Sequence, residues 1–199
     1  MKKIYLISPN KLNKYFYNFL PRVLGTKKVK FLQLRCKKYS RKNLTKHIKK
    51  ILPITQKYKV KLIINDDAYL ASKFKRIGFH LGQKDLRKSE KKILLNKKKF
   101  FGITCHNSLR LAKKAVLLNS SYVAFGAFFP TQTKIVKYIA KKNIIKKAKK
   151  LNTKIVAIGG VTNKNYKDLL KCGANYVAVS SFVWKNKEFS PLQAIKLFK

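Results

Sequence analysis

The sequence predicts an α/β fold of the (βα)8 class, a closed TIM barrel built as a single domain over residues 1–199. Short apolar runs rich in β-branched residues alternate with longer Lys-rich amphipathic stretches, which is the pattern of parallel βα units. The interiors of these runs are almost continuously apolar, as expected for strands that are covered on both faces. A length of 199 residues suits one domain and lies at the lower end of the range for this barrel.

The predicted strands are spaced along the whole chain. They span residues 4–8, 30–35, 61–65, 78–82, 100–104, 121–126, 154–159 and 175–180. The alternative is an open doubly wound sheet, which would normally carry a phosphate-binding glycine pattern after its first strand. Ser8-Pro9-Asn10 has no such pattern, so the closed barrel is favoured.

Helix signals lie between the strands. Residues suited to N-capping precede the predicted helices at Ser40, Ser108, Thr162 with Asn163, and Ser190. The helix after Ser40 is predicted over residues 41–52, because Pro53 should end or kink it. Gly173 suits the position that follows a helix C-terminus.

The composition is strongly basic, with 49 Lys plus Arg against 6 Asp plus Glu and a net charge of +43. Such a field attracts nucleic acid and anionic membranes. The lysines are scattered along the chain on predicted helix faces, however, and do not form one tail or patch. Compositional drift is therefore favoured, and neither a specific nucleic acid nor a membrane is expected as a partner. A polyanion-binding protein is the less favoured alternative.

The cysteines and the N-terminus predict a cytoplasmic protein. Cys36, Cys105 and Cys172 are widely spaced and form no CxxC pair, so neither a disulfide framework nor a zinc knuckle is indicated. Pro9 cuts the first apolar run too short for a signal segment or a membrane span. The sequence carries no signal for the oligomeric state.

Cations follow the second predicted strand. Gln33, Arg35 and Lys37 recur with a period of two, which places their side chains on one face. If that face is inward, Arg35 and Lys37 point into the barrel mouth, where unpaired cations require solvent or a bound anion such as a phosphate ester. The alternative is that the strand faces the other way and the cations are solvated.

Carboxylates are concentrated at the ends of the third and fourth strands. Asp66 and Asp67 follow Asn65, and Asp85 follows Gln83, so these two ends hold three of the six acids. Oxygen ligands that converge from adjacent strands suit Mg²⁺, which typically takes one or two carboxylates. The alternative use of Asp66 or Asp67 is N-capping of the next helix.

The last three strand ends carry hydroxyl groups, glycines and one ammonium group. Thr131, Thr133 and Lys134 follow the sixth strand, Gly159-Gly160 the seventh, and Ser180-Ser181 the eighth. Barrels often build a phosphate site from the loops after strands seven and eight. Backbone N–H groups at glycines can complete such an anion site.

Seven motifs occur in register with these strand ends, namely QLRCK, NDD, HLGQKD, GITCHN, FFPTQTK, AIGGVT and the Ser180-Ser181 pair. Together they resemble the thiamine-phosphate synthase family over essentially the whole chain. The resemblance implies a transferase of thiamine biosynthesis whose partners are small molecules. It would join 4-amino-2-methyl-5-hydroxymethylpyrimidine diphosphate to a thiazole phosphate, with Mg²⁺ as cofactor, and release pyrophosphate through a dissociative reaction.

The resemblance also implies residue roles. Asp66 and Asp85 would hold Mg²⁺, and Thr104 would line the pyrimidine pocket. The catalytic cations would be Arg35, Lys37 and Lys134, which neutralise the departing pyrophosphate. The substrate-binding residues would be Gln33, Asn65, Thr104, Thr131, Gln132, Thr133, Gly160, Ser180 and Ser181. Among these, Gln33 and Asn65 would hold the pyrimidine diphosphate, and Thr131 to Thr133 with Gly160, Ser180 and Ser181 the thiazole phosphate.

Several positions depart from the family pattern. Thr104 replaces the usual Ser, Ala127 a frequent Pro, and Ser180 an apolar residue. The segment after Lys134 is also shortened, which predicts a smaller lid and reduced or altered activity.

A thiazole tautomerase or an inactive paralogue is the alternative within the family. His106 lies near the position of the proton-carrying histidine of the tautomerases. The Asp66/Asp85 pair and the TQTK run favour the synthase, because tautomerisation needs neither a metal nor a leaving diphosphate. His80, which lies within the fourth strand, is expected to be a hydrogen-bonded structural residue.

Overall fold

The computed structural model describes residues 2–94, 96, 99–131 and 139–199. Its strands are β1 (Ile4–Ile7), β2 (Val29–Leu34), β3 (Lys61–Asn65), β4 (Gly78–Leu81), β5 (Phe101–His106), β6 (Tyr122–Phe125), β7 (Lys154–Ile158) and β8 (Tyr176–Val179). Each strand is parallel to the next, and β8 pairs with β1. The predicted TIM barrel is therefore confirmed.

Helices connect the strands on the outside of the barrel. They are α1 (Lys14–Gly25), α2 (Arg41–Lys57), α3 (Ala68–Ser72), α4 (Gln83–Lys88), α5 (Lys91–Leu94), α6 (Leu109–Leu117), α7 (Asn143–Ala148), α8 (Tyr166–Lys171), α9 (Ser181–Trp184) and α10 (Pro191–Lys196). A short 3-10 helix, Lys149–Leu151, follows α7. In the part of the chain that the structure describes, no helix combines the length and the apolar character that a membrane span requires.

Two buried clusters result from the alternation of side chains along the strands. The larger lies between strands and helices and includes Leu32, Phe79 and Ile48. The smaller fills the barrel interior and includes Phe31 and Val156. Because successive side chains of a strand point to opposite faces, Gln33 shares the inward face of Phe31. Gln33 therefore faces the interior, which is the first of the two orientations that the sequence left open.

The capping residues define most helix starts as predicted. Ser40 accepts a hydrogen bond from the N–H of Asn43, and Ser108 accepts one from the N–H of Leu111. Ser190 forms a reciprocal capping box with Gln193. Such caps satisfy backbone N–H groups that have no partner within the helix.

Two helix boundaries were predicted wrongly. α2 continues through Pro53 to Lys57, because a buried stripe that includes Ile48, Ile51 and Thr55 packs on both sides of the proline. That packing outweighs the one hydrogen bond that Pro53 removes. α8 begins at Tyr166, later than predicted, because Asn165 accepts the N–H of Thr162 and closes a turn before the helix.

Candidate active site

The carboxylates of Asp66 and Asp85 come together at the C-terminal mouth of the barrel. Asp66 directly follows β3, and Asp85 lies in the first turn of α4, just after β4. Gly82 lies between them, since a Cβ at this position would be 3.0 Å from an Asp85 oxygen and 4.0 Å from an Asp66 oxygen. Two neighbouring strand ends thus bring two of the few acids of this chain to one place.

The pKa of Asp66 reflects the electrostatic repulsion between these two carboxylates. Partial burial and the neighbouring Asp85 carboxylate raise the pKa of Asp66 above its ordinary value. A hydrogen bond of 2.5 Å from the Asn65 amide and the positive charge of Lys37 act in the opposite direction. A further cation between the two carboxylates would remove their repulsion.

The backbone holds Asp66 in an unusual conformation. Its φ angle is +63°, in the left-handed region that L-residues seldom adopt. Its N–H donates a hydrogen bond of 2.8 Å to the carbonyl oxygen of His80 on β4. This bond fixes the peptide group of Asp66 to the neighbouring strand and directs the carboxylate toward the mouth.

Asp67 does not belong to this pair. Its Oδ1 accepts the N–H of Leu70 at 2.9 Å and so caps α3. Its two oxygens also accept hydrogen bonds of 2.6 and 3.1 Å from Arg41. The prediction that one of the adjacent acids serves as a cap is confirmed for Asp67.

Of the cations predicted after β2, Lys37 acts electrostatically on Asp66, and Arg35 directly follows the strand. The strand ends at Leu34, and Gln33, Arg35 and Lys37 become progressively more exposed along the chain. The N–H of Arg35 donates to the hydroxyl of Ser8 at 3.0 Å, while its guanidinium makes no hydrogen bond or ion pair within the described residues. Arg35 and Lys37 are therefore available to an anion at the mouth.

A chain of buried polar side chains crosses the barrel interior beneath this mouth. The Gln33 amide nitrogen is 2.9 Å from the Tyr5 hydroxyl, which is 2.7 Å from the hydroxyl of Tyr122. Tyr122 is 3.0 Å from Nδ1 of His80, and Nε2 of His80 is 2.8 Å from the Thr104 hydroxyl. His80 is thus the hydrogen-bonded structural residue that was predicted.

The order of donors in this chain follows from the atoms at its ends. The Gln33 amide nitrogen can only donate, so Tyr5 accepts from it. Every buried hydroxyl proton of the chain then has an acceptor when Tyr5 donates to Tyr122 and Tyr122 donates to Nδ1 of His80. Burial lowers the pKa of His80 to about 4, which keeps the ring neutral near pH 7. Nε2 then carries the proton and donates to Thr104. The hydroxyl proton of Thr104 remains for a partner at the mouth.

The loops after β6 and β7 pack closely on the other side of the mouth. The N–H of Phe129 donates to the carbonyl oxygen of Gly159 at 3.1 Å. Gly160 has a φ of +61°, and a Cβ there would overlap the carbonyl oxygen of Pro130. Gly160 thus allows the segment that carries Thr131 to lie against the end of β7.

The end of β8 contributes two hydroxyl groups. Ser180 and Ser181 are half-buried at the start of α9, and their side chains make no hydrogen bond within the described residues. Gln132, Thr133 and Lys134, with the shortened segment after Lys134, lie outside the described residues. Their predicted roles stay predictions, as do the roles of the other site residues.

The donor set at the mouth fits Mg²⁺. Two carboxylates and the Asn65 amide supply hard oxygen ligands, and Mg²⁺ usually takes one or two carboxylates with water and phosphate oxygens. Within the described residues no group of three or more His, Cys, Asp or Glu side chains gathers, as a site for zinc would need. The donors at the mouth therefore fit a magnesium ion that is bound together with a phosphate group.

Sequence reasoning missed two members of the site, Tyr5 and Tyr122. Both are fully buried aromatic residues of strands, and an aromatic residue in an apolar run reads as core. The available signal was the period of two that puts Tyr5 on the inward face of β1, where a hydroxyl needs a partner. Gln83 was named but given no role, and its amide donates to the carbonyl oxygen of Thr104 at 2.5 Å.

The fold resembles solved structures of phosphate-handling enzymes. A thiamine phosphate pyrophosphorylase from Pyrococcus furiosus superposes with a TM-score of 0.82 at 21% identity, over 99% of this chain and 93% of that one. A geranylgeranylglyceryl phosphate synthase from Thermoplasma acidophilum superposes with a TM-score of 0.67 at 14% identity, over 98% of this chain and 91% of that one. At these identities the superpositions show the barrel fold alone.

Sequence comparison is more specific. A thiamine-phosphate synthase from Pelagibacter ubique is 50% identical and covers all of this chain and 96% of its own length. A thiamine-phosphate synthase from Xylella fastidiosa is 32% identical over 98% of this chain and 82% of its own length. The model of the thiamine monophosphate synthase family matches residues 4–183. These matches confirm the predictions of a transferase and of thiamine-phosphate synthase function, and the chain belongs to the thiamine monophosphate synthase family.

Proposed function

We propose that the C-terminal mouth of the barrel is the active site in which a pyrimidine diphosphate and a thiazole phosphate are joined to give thiamine phosphate and pyrophosphate. The observation that carries this proposal is the close pair of Asp66 and Asp85, with Lys37 beside it. A pair of carboxylates flanked by cations suits a diphosphate that is bound together with a divalent cation.

Asp66 and Asp85 would hold Mg²⁺, with Asn65 as a neighbouring oxygen donor. When bound, the ion would neutralise charge on the diphosphate and make pyrophosphate a better leaving group. Arg35 and Lys37 would pair with the same diphosphate from the end of β2. Because charge accumulates on pyrophosphate as it departs, these cations stabilise the transition state more than the bound substrate.

Thr104 would orient the pyrimidine. Its hydroxyl lies 2.8 Å from Nε2 of His80, and the donor order of the buried chain leaves the hydroxyl proton for an acceptor in the mouth. A ring nitrogen of the pyrimidine is such an acceptor. His80 itself is a positioning residue, since it acts on the substrate only through Thr104.

Ser180, Ser181 and Gly160 would bind the phosphate of the thiazole. The two hydroxyl groups have no protein partner within the described residues, and their half-buried position allows a ligand to reach them. Thr131 adjoins Gly160 through Pro130, so it can contribute to the same phosphate site. The thiazole nitrogen would then attack the pyrimidine carbon from which pyrophosphate has left.

The thiazole tautomerase that the sequence left as an alternative fits this site less well. It would need a proton carrier such as His106, which ends β5, but it would have no use for the Asp66/Asp85 pair. The carboxylate pair therefore supports the synthase.

The domain organisation and the compartment complete the proposal. The pairing of β8 with β1 supports one domain over residues 1–199. All three cysteines are free thiols, which supports the cytoplasm as the compartment.

The decisive experiment is incubation with both substrates and Mg²⁺, followed by assay of thiamine phosphate and pyrophosphate. We expect both products in equal amounts, and their loss on addition of EDTA. Product formation that continues in EDTA would contradict the proposed metal site. Isomerisation of a thiazole substrate without any release of pyrophosphate would indicate the tautomerase.

A further inference from the structure

A cavity of about 550 Å³ opens at the N-terminal mouth of the barrel. Its wall includes the first residues of four strands, Lys61, Tyr122, Lys154 and Tyr176. The Asp66/Asp85 pair follows the opposite ends of the strands, so the cavity is separate from the proposed active site. Its volume falls in the range of small-molecule sites, well above that of a single phosphate ion.

The inner wall of this cavity is aromatic. Phe31 stacks on Phe100 with ring centroids 5.3 Å apart, and Tyr176 meets Phe31 edge-on at 4.9 Å. Tyr122 lies 5.7 Å from Phe100. Phe31 and Tyr122 are buried, whereas Phe100 and Tyr176 are half-buried and present ring surface to the cavity. Such surface suits a planar ring.

The rim of the cavity is cationic, and none of the described residues that line it is acidic. Its cations are Lys30, Lys59, Lys61, Arg76 and Lys154. None of them forms an ion pair with a carboxylate within the described residues. The pKa of the adjacent Lys2 is lowered by its burial and by the positive charges of Lys30, Lys59 and Lys27. The rim therefore has a positive potential that a bound anion would relieve.

Two of these cations differ from the lysines scattered over the helices. Lys61 and Lys154 lie two residues before the interior residues Ile63 and Val156, so their side chains start on the inward face of the barrel. In the closed order of eight strands, β3 and β7 stand opposite each other. The Lys61 ammonium already lies 5.3 Å from the centre of the Phe100 ring.

We propose that this cavity is a second ligand site that binds a nucleotide, with the base against Phe100 and Tyr176 and the phosphates between Lys61 and Lys154. The aromatic wall matches the planar base of a nucleotide. The two opposed lysines match its phosphates. Base stacking on an aromatic side chain adds affinity that does not depend on the phosphate charge. An inorganic polyphosphate would forgo that contribution.

The test is calorimetric titration of the full chain with ATP, tripolyphosphate and adenosine, at one salt concentration and in EDTA. We expect ATP to bind at least tenfold more tightly than either tripolyphosphate or adenosine. Equal affinities for ATP and tripolyphosphate would overturn the proposal, because they would show that the base contributes nothing and that the site binds any polyanion through its positive charge. Tighter binding of a single-stranded oligonucleotide than of ATP would overturn it in favour of a nucleic-acid surface.

Variants separate this cavity from the active site. The double variant Lys61→Gln/Lys154→Gln should weaken ATP binding at least tenfold and leave thiamine phosphate formation unchanged. The matched control Lys113→Gln/Lys167→Gln removes two exposed helix lysines and should weaken ATP binding less than twofold.

The aromatic wall has its own variant. Tyr176→Leu should weaken the binding of ATP but not that of tripolyphosphate. Equal effects of the two double variants, or a loss of ATP binding in Arg35→Gln alone, would contradict the assignment. Because binding is the readout, the result does not depend on synthase activity.

Discussion

Nε2 of His80 lies 2.8 Å from the hydroxyl of Thr104, and this contact connects the closed interior of the barrel to its open mouth. His80 is buried and neutral, and Thr104 is only half-buried. The orientation of the hydroxyl that we propose to face the pyrimidine is therefore set by buried side chains of the barrel interior.

We predict that Thr104→Val raises the KM for the pyrimidine diphosphate at least tenfold, because it removes the hydroxyl and preserves the side-chain shape. The variant also leaves the N–H of His80 without a partner, which should cost about 1–3 kcal/mol of unfolding free energy. Steady-state kinetics and urea unfolding measure the two effects. Thr104→Ser is the matched control and should remain close to the parent in both KM and unfolding free energy. An equal rise in KM for Thr104→Ser would show that the shape of the side chain matters and not its hydroxyl.

Substitutions should distinguish the two proposed metal ligands, Asp66 and Asp85, from the helix cap Asp67. Asp66→Asn and Asp85→Asn should each raise the Mg²⁺ concentration needed for half-maximal activity at least tenfold, because an amide keeps the oxygen but loses the charge. Asp67→Asn should retain most activity and change the unfolding free energy by less than about 1 kcal/mol, since Asn caps helices as well as Asp and the Arg41 pair is exposed. Magnesium titrations of the three variants decide the point. Greater damage from Asp67→Asn than from Asp66→Asn would show that the metal site is misassigned.

The raised pKa of Asp66 predicts a cost to stability. A carboxyl group with a higher pKa in the folded than in the unfolded state binds its proton more tightly when folded, so stability falls as pH rises through that interval. In EDTA near pH 7, Asp66→Asn should thus be slightly more stable than the parent, by less than about 1 kcal/mol. Mg²⁺ should raise the melting temperature of the parent and not of the variant. A destabilised Asp66→Asn in EDTA would mean that the carboxylate stabilises the fold.

His80 should make the protein sensitive to acid. Its folded pKa of about 4 lies below the unfolded value, so the unfolded state takes up the proton first and stability falls as pH drops below about 6.5. The loss should approach about 3 kcal/mol near pH 4. Urea unfolding between pH 7 and pH 4 measures this slope, and it should be shallower in His80→Gln. An unchanged slope would assign the acid sensitivity to other groups.

Arg35→Ala should reduce kcat at least a hundredfold with little change in unfolding free energy. Its guanidinium makes no hydrogen bond or ion pair within the described residues, whereas a departing pyrophosphate needs the positive charge. Single-turnover rates with saturating substrates and Mg²⁺ provide the measurement. Lys38→Ala, a neighbouring exposed cation, is the control and should keep parental turnover.

The strands and the strand-end residues could be predicted because both depend on local patterns. The apolar runs mark the barrel strands, and Asp66 and Asp85 follow adjacent strands, so parallel pairing alone brings them to one mouth. The end of α2 could not be predicted, because Pro53 is tolerated only through packing of Ile48 and Thr55 on the barrel. The contact of Tyr5 with Tyr122 joins residues 117 positions apart and requires the curvature of the closed barrel.

His80 also supports Asp66, since its carbonyl oxygen accepts the Asp66 N–H while its ring holds Thr104. One residue therefore anchors the proposed metal-binding carboxylate through its backbone and the proposed pyrimidine-binding hydroxyl through its side chain. Ordering of either partner restrains the other, so the two binding equilibria should show positive cooperativity. By reciprocity, Mg²⁺ should tighten the pyrimidine by the same factor by which the pyrimidine tightens Mg²⁺. Part of that cooperativity would arise in the protein itself, in addition to the attraction between the ion and the diphosphate.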